Sequence, residues 1–441
     1  MLEKIFSWSK KKQDGVEQAG WDIQCGRYSD NNKTLSKVEK WNAAESLFKD
    51  KKYFESIAAF FDYLKDDEVE NVEHEQTARG GKFKFYQGSK IITGHYNEET
   101  FEGEAILALM PQPSVPVMRR LLEMNFALYY SRFALNEDKI SMFFDSDLIT
   151  ANPSKLYYGL KELATKADKQ DDLLVQDFTT LSPVDIDHII EIPEEEKAVK
   201  LKYFKKWIQD TISMAGSIDA DKFSGGIAYL LLALAYRIDY LIVPEGKLLY
   251  EIEKIVEIYF RKDDRPVTEK NQEMIESFSR LLSKDKEEFY PYLFRSKYTF
   301  SIVTPQNFKT IADAIYNANQ NINWYRENKL NDVAAQISEY GLSYCQYSYS
   351  LPKPLSEFFQ LMMRANYPDF FRELGSKDDF TNDNGEYNKE AIIAKIEEIE
   401  SRWKEKYPEL KLKTEKLKFE NKVSFNQSFT TEIECLNLET R

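Results

Sequence analysis

Residues Met110–Tyr130 read MPQPSVPVMRRLLEMNFALYY, and the parsing of this stretch decides how the chain on either side is organised. Pro111, Pro113 and Pro116 have no N–H to give to a strand ladder, so a sheet that runs up to Met110 must stop there. Beyond them Val117, Leu121, Met124 and Leu128 recur at helical spacing, flanked by Met118, Leu122 and Tyr129. Arg119, Arg120 and Glu123 take the other side. The stretch therefore reads as the end of a strand, a proline-stiffened turn and a helix.

Upstream the period is 2. Phe101, Gly103, Ala105, Leu107 and Leu109 line one face of a strand, Ile91–Tyr96 forms another, and Phe83 and Phe85 alternate with Lys82 and Lys84. Asn71–Ala78 adds a fourth, with Arg79-Gly80-Gly81 and Gly88-Ser89 as turns, which is the pattern of an antiparallel meander. Before the strands, Phe54, Ile57, Ala58, Phe61 and Leu64 form one helical stripe. AESLFKDKKYFESIAAFFDYL echoes a helical-hairpin unit of a tetratricopeptide array. No neighbouring unit follows at the required spacing of about 34 residues, so a solenoid is excluded and the stripe is expected to pack on the sheet. Downstream, Arg132–Leu135 and Lys139–Phe144 pair around Asn136-Glu137-Asp138. Asn152 then caps a helix that starts at Pro153 and is striped by Leu156, Leu160, Leu163 and Ala167.

Residues 36–178 thus run helix, strands, helix, two strands, helix, centred on FEGEAILALMPQPSVPVMRRLLEMNFALYYSRFALNEDKISMFF. This order resembles the YbjN family and its structural relatives, the type III secretion chaperones. The echoes are the strand ending in Pro, the LLEMN helix, the RFALNEDKISMFF hairpin and a terminal helix rich in Leu, Ala and Asp. The resemblance covers about a third of the chain, the size of one domain. It implies an α+β fold, no catalytic residues, and a role in binding protein segments or in regulation, often as dimers.

Ser182-Pro183 and Ile192-Pro193 mark a boundary, after which four or five amphipathic helices predict a bundle. Its most apolar member, Ile227–Val243, carries Arg237 and Asp239, which would be costly in a bilayer. Further on, Gly341–Leu351 reads as an aromatic strand, and LPKPLSEFFQLMMRANY (Leu351–Tyr367) aligns on the opening stretch. Pro352, Pro354 and Asn366 match Pro111, Pro113 and Asn125. That suggests a diverged second copy near 300–375. In the tail, Leu417, Phe419, Val423, Phe425, Phe429, Thr431, Ile433 and Cys435 alternate as a β-hairpin would. The resulting plan has an N-terminal polar segment at 1–35, a YbjN-like α+β domain at 36–180 and a helical bundle at 181–300. A C-terminal α+β domain with a β tail fills 301–441.

Signals for chemistry are sparse. A net charge of −14 argues against nucleic acid, which needs a concentrated cationic face. Cys25, Cys345 and Cys435 lie far apart without a CxxC, as reduced thiols in a cytoplasmic protein would. His74, His95 and His188 have no metal-spaced partner. P-loop, GxGxxG and GxSxG are all missing. Asp378–Tyr387 fails the EF-hand register. Asp145-Ser146-Asp147 and Asp171-Asp172 are carboxylate pairs of the sort common on acidic turns and helix faces. The expectation is no catalytic residue, no cofactor and no metal.

Cys25–Lys33 (CGRYSDNNK) reads equally as an ordered cap or a recognition segment. Leu2, Ile5, Phe6 and Trp8 ahead of Lys10, Lys11 and Lys12 read as a membrane-surface segment, a docking helix or a tail. The sequence as a whole points to a non-enzymatic, cytoplasmic protein-binding or chaperone-like regulatory factor. Its partner is an unidentified protein, and a homodimer stays open. The alternatives are a peripheral membrane scaffold and a hydrolase or transferase with an inter-domain carboxylate site.

Overall fold

The period-2 alternation becomes an antiparallel sheet in the computed structural model, which describes residues 23–440 apart from 32, 68, 185–187 and 383. The segment from Leu2, Ile5, Phe6 and Trp8 to Lys10, Lys11 and Lys12 lies outside the described residues. Helices α1 (Leu35–Lys49) and α2 (Tyr53–Leu64) form a hairpin, then come β1 (Val72–Thr77), β2 (Gly80–Gln87), β3 (Lys90–Tyr96) and β4 (Thr100–Leu109). After α3 (Val115–Asn125) follow β5 (Ser131–Asn136), β6 (Lys139–Asp147) and the long α4 (Pro153–Asp177). The strand order is β1-β2-β3-β4-β6-β5, and the two-residue β7 (Ser182–Pro183) pairs with the end of β4. The α2 stripe meets the sheet as expected, with Phe61 and Phe83 ring centroids 4.8 Å apart. Asn152 caps α4 by accepting the Lys155 N–H at 2.9 Å, and Leu156, Leu160, Leu163 and Ala167 are buried. The protein is α+β.

Helices dominate the rest. A four-helix group comprises α5 (Glu194–Gly216), α6 (Ser224–Arg237), α7 (Gly246–Phe260) and α8 (Val267–Leu282). The short α9 (Lys286–Phe289) leads on to α10 (Phe308–Glu327), α11 (Asn331–Ser348), α12 (Lys353–Asn366), α13 (Pro368–Glu373), α14 (Lys389–Trp403) and α15 (Lys422–Glu434). The stretch Ser224–Ile242 is long and apolar enough to cross a membrane, yet 89% of it is buried within the protein. Its two charges are paired inside: Arg237 with Glu339 at 2.9 Å and Asp239 with Arg27 at 2.8 Å.

Three expectations are corrected here. Residue 300 is not a packing boundary, because residues from 192 to 436 share one apolar core; Tyr240 contacts Phe359 at 4.4 Å and Trp207 contacts Phe370 at 5.2 Å. The aromatic strand at Gly341–Leu351 is helix α11 as far as Ser348, and only Tyr349–Ser350 is extended, in parallel with Thr304–Pro305. Tyr340, Tyr344 and Tyr347 sit four and three apart, which is helical spacing. The β tail is also helical from Lys422. Phe425, Phe429 and Ile433, four apart, suit a strand face and a helix face alike, and Asn421 settles the matter by accepting the Ser424 N–H at 3.0 Å.

The repeat fails beyond its turn for a related reason. Pro354 occupies the first turn of α12 as Pro116 does in α3, but helices α10 and α11, not a sheet, precede it.

The two bodies are joined by segment 297–303, which leaves the helical part and enters the sheet domain. Phe300 is fully buried among sheet-domain residues, 5.7 Å from Phe85 and 5.4 Å from Tyr157. Its peptide groups cannot reach water, so side chains satisfy them. Gln87 accepts the N–H of Phe300 at 3.0 Å and of Thr299 at 3.3 Å, and donates to the Phe300 carbonyl at 3.1 Å. Asn71 donates to the Tyr298 carbonyl at 3.2 Å, and the Thr299 hydroxyl to the Tyr86 carbonyl at 2.9 Å.

Residues 23–31, which include most of CGRYSDNNK, form an ordered strap across both bodies. Arg27 binds Asp239 and Glu253, and Asn31 donates to the Ser350 carbonyl at 2.8 Å. On the sheet side, Asp30 accepts from the Tyr157 hydroxyl at 2.6 Å.

Phe300→Ala is expected to lower unfolding stability by about 3–5 kcal/mol in a denaturant titration. A loss under about 1 kcal/mol would show that the plug does not hold the bodies together.

Candidate functional site

Helix α3 uses only part of its apolar surface for the core. Val117 and Leu121 are buried against the sheet. Val115, Met118, Leu122 and Phe126, each about one turn from the next, face solvent; Phe126 is 94% exposed and Tyr129, just beyond, 92%. Met118, Leu122 and Tyr129, which the sequence places as flanks of the inward stripe, turn outward in the structure. A contiguous apolar ridge of this kind on a folded surface marks an interaction site more often than a scattered exposed leucine does.

Beside the ridge lies β5, one of the sheet's two edge strands, the other being β1. An open edge would offer its backbone to an incoming strand, but this one is occupied. The Phe133 N–H donates to Asn125 Oδ1 at 2.7 Å, and Asn125 Nδ2 donates to the Phe133 carbonyl at 3.4 Å. Glu162 on α4 accepts the N–H groups of Tyr129 at 2.9 Å and of Tyr130 and Ser131 at 2.8 Å, together with the Ser131 hydroxyl. Burial pushes the Glu162 carboxyl up. Those N–H and hydroxyl donors more than offset it and hold the group below its ordinary value. What remains for a partner is the side-chain surface of α3.

Of the residues singled out by sequence, Pro111 and Pro113 lie in the turn that ends the sheet, and Asn125 guards its edge. Pro352, Pro354 and Asn366 are elsewhere: Asn366 accepts from the Tyr387 hydroxyl at 2.9 Å and donates to Asn426 Oδ1 at 2.8 Å within the helical body. The two sets are not brought together. His74 is structural, stacked on Phe61 at 4.8 Å and bonded to the Tyr96 hydroxyl.

A second place with chemical character lies between α4 and the start of α7. Asp168, Asp171 and Asp172 share one face of α4, opposite Glu245 at the N-cap of α7, around a cleft of about 570 Å³ that adjoins another of about 660 Å³. Ser89 donates its N–H to Asp168 at 2.7 Å, Lys90 pairs with Asp171 at 3.0 Å, and the Tyr298 hydroxyl donates to Glu245 at 2.5 Å. Gly88 and Gly246 both have positive φ, and a Cβ on either would run into the carboxylates of Asp168 and Asp172 respectively. Burial, and then the charge of Asp171, raises Asp172 to about 7. Burial likewise raises Glu245 to about 7. Among the described residues no group of three His, Cys, Asp or Glu side chains has metal-binding geometry. The Asp171-Asp172 pair was visible in the sequence. Asp168 stands three and four residues before that pair on the same helix face, whereas Glu245 carried no signal, because only the packing of α7 on α4 brings it there.

Comparison with protein-family models and with curated protein sequences returns no match for this chain.

Two pH-dependent outcomes follow from these carboxylates. The depressed Glu162 contributes stability that is complete above the unfolded glutamate value of about 4.3 and is lost as pH falls through its folded value. Glu162→Gln is therefore expected to melt below wild type at pH 7, with the gap closing towards pH 3 by calorimetry. Asp172 has the opposite sign. Its raised folded value makes ionisation costly, with the cost growing from the unfolded aspartate value of about 3.9 up to about 7. Asp172→Asn is expected to raise Tm at pH 8 and leave it unchanged near pH 4.

Proposed function

We propose that this protein is a non-enzymatic, chaperone-like protein-binding factor that works in the cytoplasm and docks an amphipathic helix of a partner on the outer face of α3. The observation that carries this reading is the ridge of Val115, Met118, Leu122 and Phe126, extended by Tyr129. A folded protein gains nothing in stability from leaving such side chains in water, whereas a partner helix with matching i, i+3, i+7 anchors would bury them. Asn125 and Glu162 block the competing mode, strand addition to β5. The free thiols of Cys345 and Cys435 agree with a reducing compartment.

A second reading, a hydrolase or transferase with an inter-domain carboxylate site, is favoured by one observation: Asp172 and Glu245 titrate near 7 beside one cleft. It ranks below the first because these carboxylates are already engaged: the Ser89 hydroxyl donates to Asp168 at 3.1 Å and to Asp171 at 2.9 Å, Lys90 pairs with Asp171, and the Tyr298 hydroxyl donates to Glu245.

The double substitution Leu122→Asp/Phe126→Asp tests the docking face, because neither side chain belongs to the core. Capture of the partner from native extract is expected to fall at least about 30-fold, the scale of a lost binding hot spot, with Tm within about 1–2 °C of wild type. Undiminished capture would refute the face. If the wild-type chain is a dimer by light scattering and the variant a monomer, the partner is a second copy.

A further inference from the structure

The cavity of about 660 Å³ lies between the C-terminal part of α4, the end of β4, the first turn of α5 and residues 290–294. Leu107, Val175, Tyr290, Leu293 and Phe294 give it apolar and aromatic walls. Lys197, on the first turn of α5, also lines it and is only 7% exposed. Its ammonium faces the Tyr290 ring at 5.9 Å and has no hydrogen bond or ion pair among the described residues. At that distance a ring recovers little of the hydration lost when an ammonium is buried.

The nearby carboxylates leave Lys197 unpaired. Glu196, one residue before it, pairs with Lys200 at 3.3 Å and with Arg295 at 3.0 Å. Asp171 pairs with Lys90 at 3.0 Å and accepts from the Ser89 hydroxyl at 2.9 Å. Asp172, raised to about 7 by burial and by the charge of Asp171, carries its proton below that pH. Glu191 is exposed. A buried, unpaired ammonium at the wall of an apolar cavity lacks a counter-charge, and the cavity has room for one.

We propose that this cavity binds an apolar monocarboxylate, with the carboxylate on Lys197 and an aryl or alkyl body against residues 290–294. One buried ammonium balances one negative charge, whereas a phosphate would bring a second into a space that also holds Asp171 and Asp172. Lys247 lines the cavity as well but is only half-buried, so water serves it. The apolar walls give an inorganic ion nothing and give rings or methylene groups a place out of water. Because α4 and β4 belong to one body and α5 to the other, the bound acid touches both.

The test is calorimetric titration and thermal shift of the full chain at pH 6, where Asp172 keeps its proton. The probes are 3-phenylpropionate, octanoate, 3-phenylpropanamide, acetate and phosphate. At least one of the two apolar acids is expected to bind saturably and raise Tm, and the better of them tells an aryl from an alkyl body. The amide, which has the body without the charge, and acetate, which has the charge without the body, are expected to bind at least about tenfold more weakly, the scale of one lost charge-assisted hydrogen bond. Phosphate is expected not to bind. Lys197→Met keeps the buried stem and removes the charge; it weakens the acid by about the same factor and leaves the amide unchanged. Leu122→Asp/Phe126→Asp leaves acid binding as it is, which separates this site from the docking face. No saturable binding of either apolar acid, equal binding of acid and amide, wild-type affinity in Lys197→Met, or Lys197-dependent binding of phosphate overturns the assignment. If Lys197→Met does not fold, the comparison of acid with amide on the wild-type chain decides.

Discussion

Phe300 and the hydrogen bonds around it set the geometry on which the rest of the structure depends. An irregular segment driven into a foreign core loses water at every peptide group, and each unsatisfied group would cost about 1–3 kcal/mol. Gln87 and Asn71, both fully buried, meet that demand at the end of β2 and just before β1. The aromatic ring then contributes burial that backbone bonds alone would not. The strap at residues 23–31 repeats the device with charge, tying Asp239 and Glu253 on one side to Tyr157 on the other through Arg27 and Asp30. Together these contacts hold α4 against α7 and so create the acidic cleft. The outer face of α3 takes no part in the joint.

That face and its neighbouring edge are treated in opposite ways. The edge strand β5 is closed by Asn125 and Glu162, which spend polar groups on backbone that would otherwise invite strand pairing. The ridge a few ångströms of helix away is left apolar and bare. With β5 guarded at this end, the proposed docking on Phe126 and Tyr129 runs through side-chain anchors and not through pairing with β5.

The sheet domain was legible from sequence because its signals are local. Alternation in β2–β4, the prolines after Leu109 and the Asn152-Pro153 cap each act within a few residues. The inward stripe of α3 was legible too, since Val117 and Leu121 are the residues it buries. What the sequence hid was that its apolar flanks, Met118 and Leu122, stay in water with Phe126; only packing decides how far round the helix the sheet reaches. In the helical body, residues four apart satisfy two periods at once, so Phe425, Phe429 and Ile433 fit a strand in the sequence and a helix in the fold. The cleft was half legible. Asp171-Asp172 stands out in the sequence, but its partner Glu245 arrives only through tertiary packing.

The central claim is that α3 is the docking surface, and a photo-activated crosslinking residue placed at Phe126 in the cells that make the protein tests it most directly. Tyr316, half exposed on α10, serves as the control position. The account predicts a discrete adduct of defined mass from position 126 and none from position 316. No adduct at 126, or the same adducts from both positions, would contradict it.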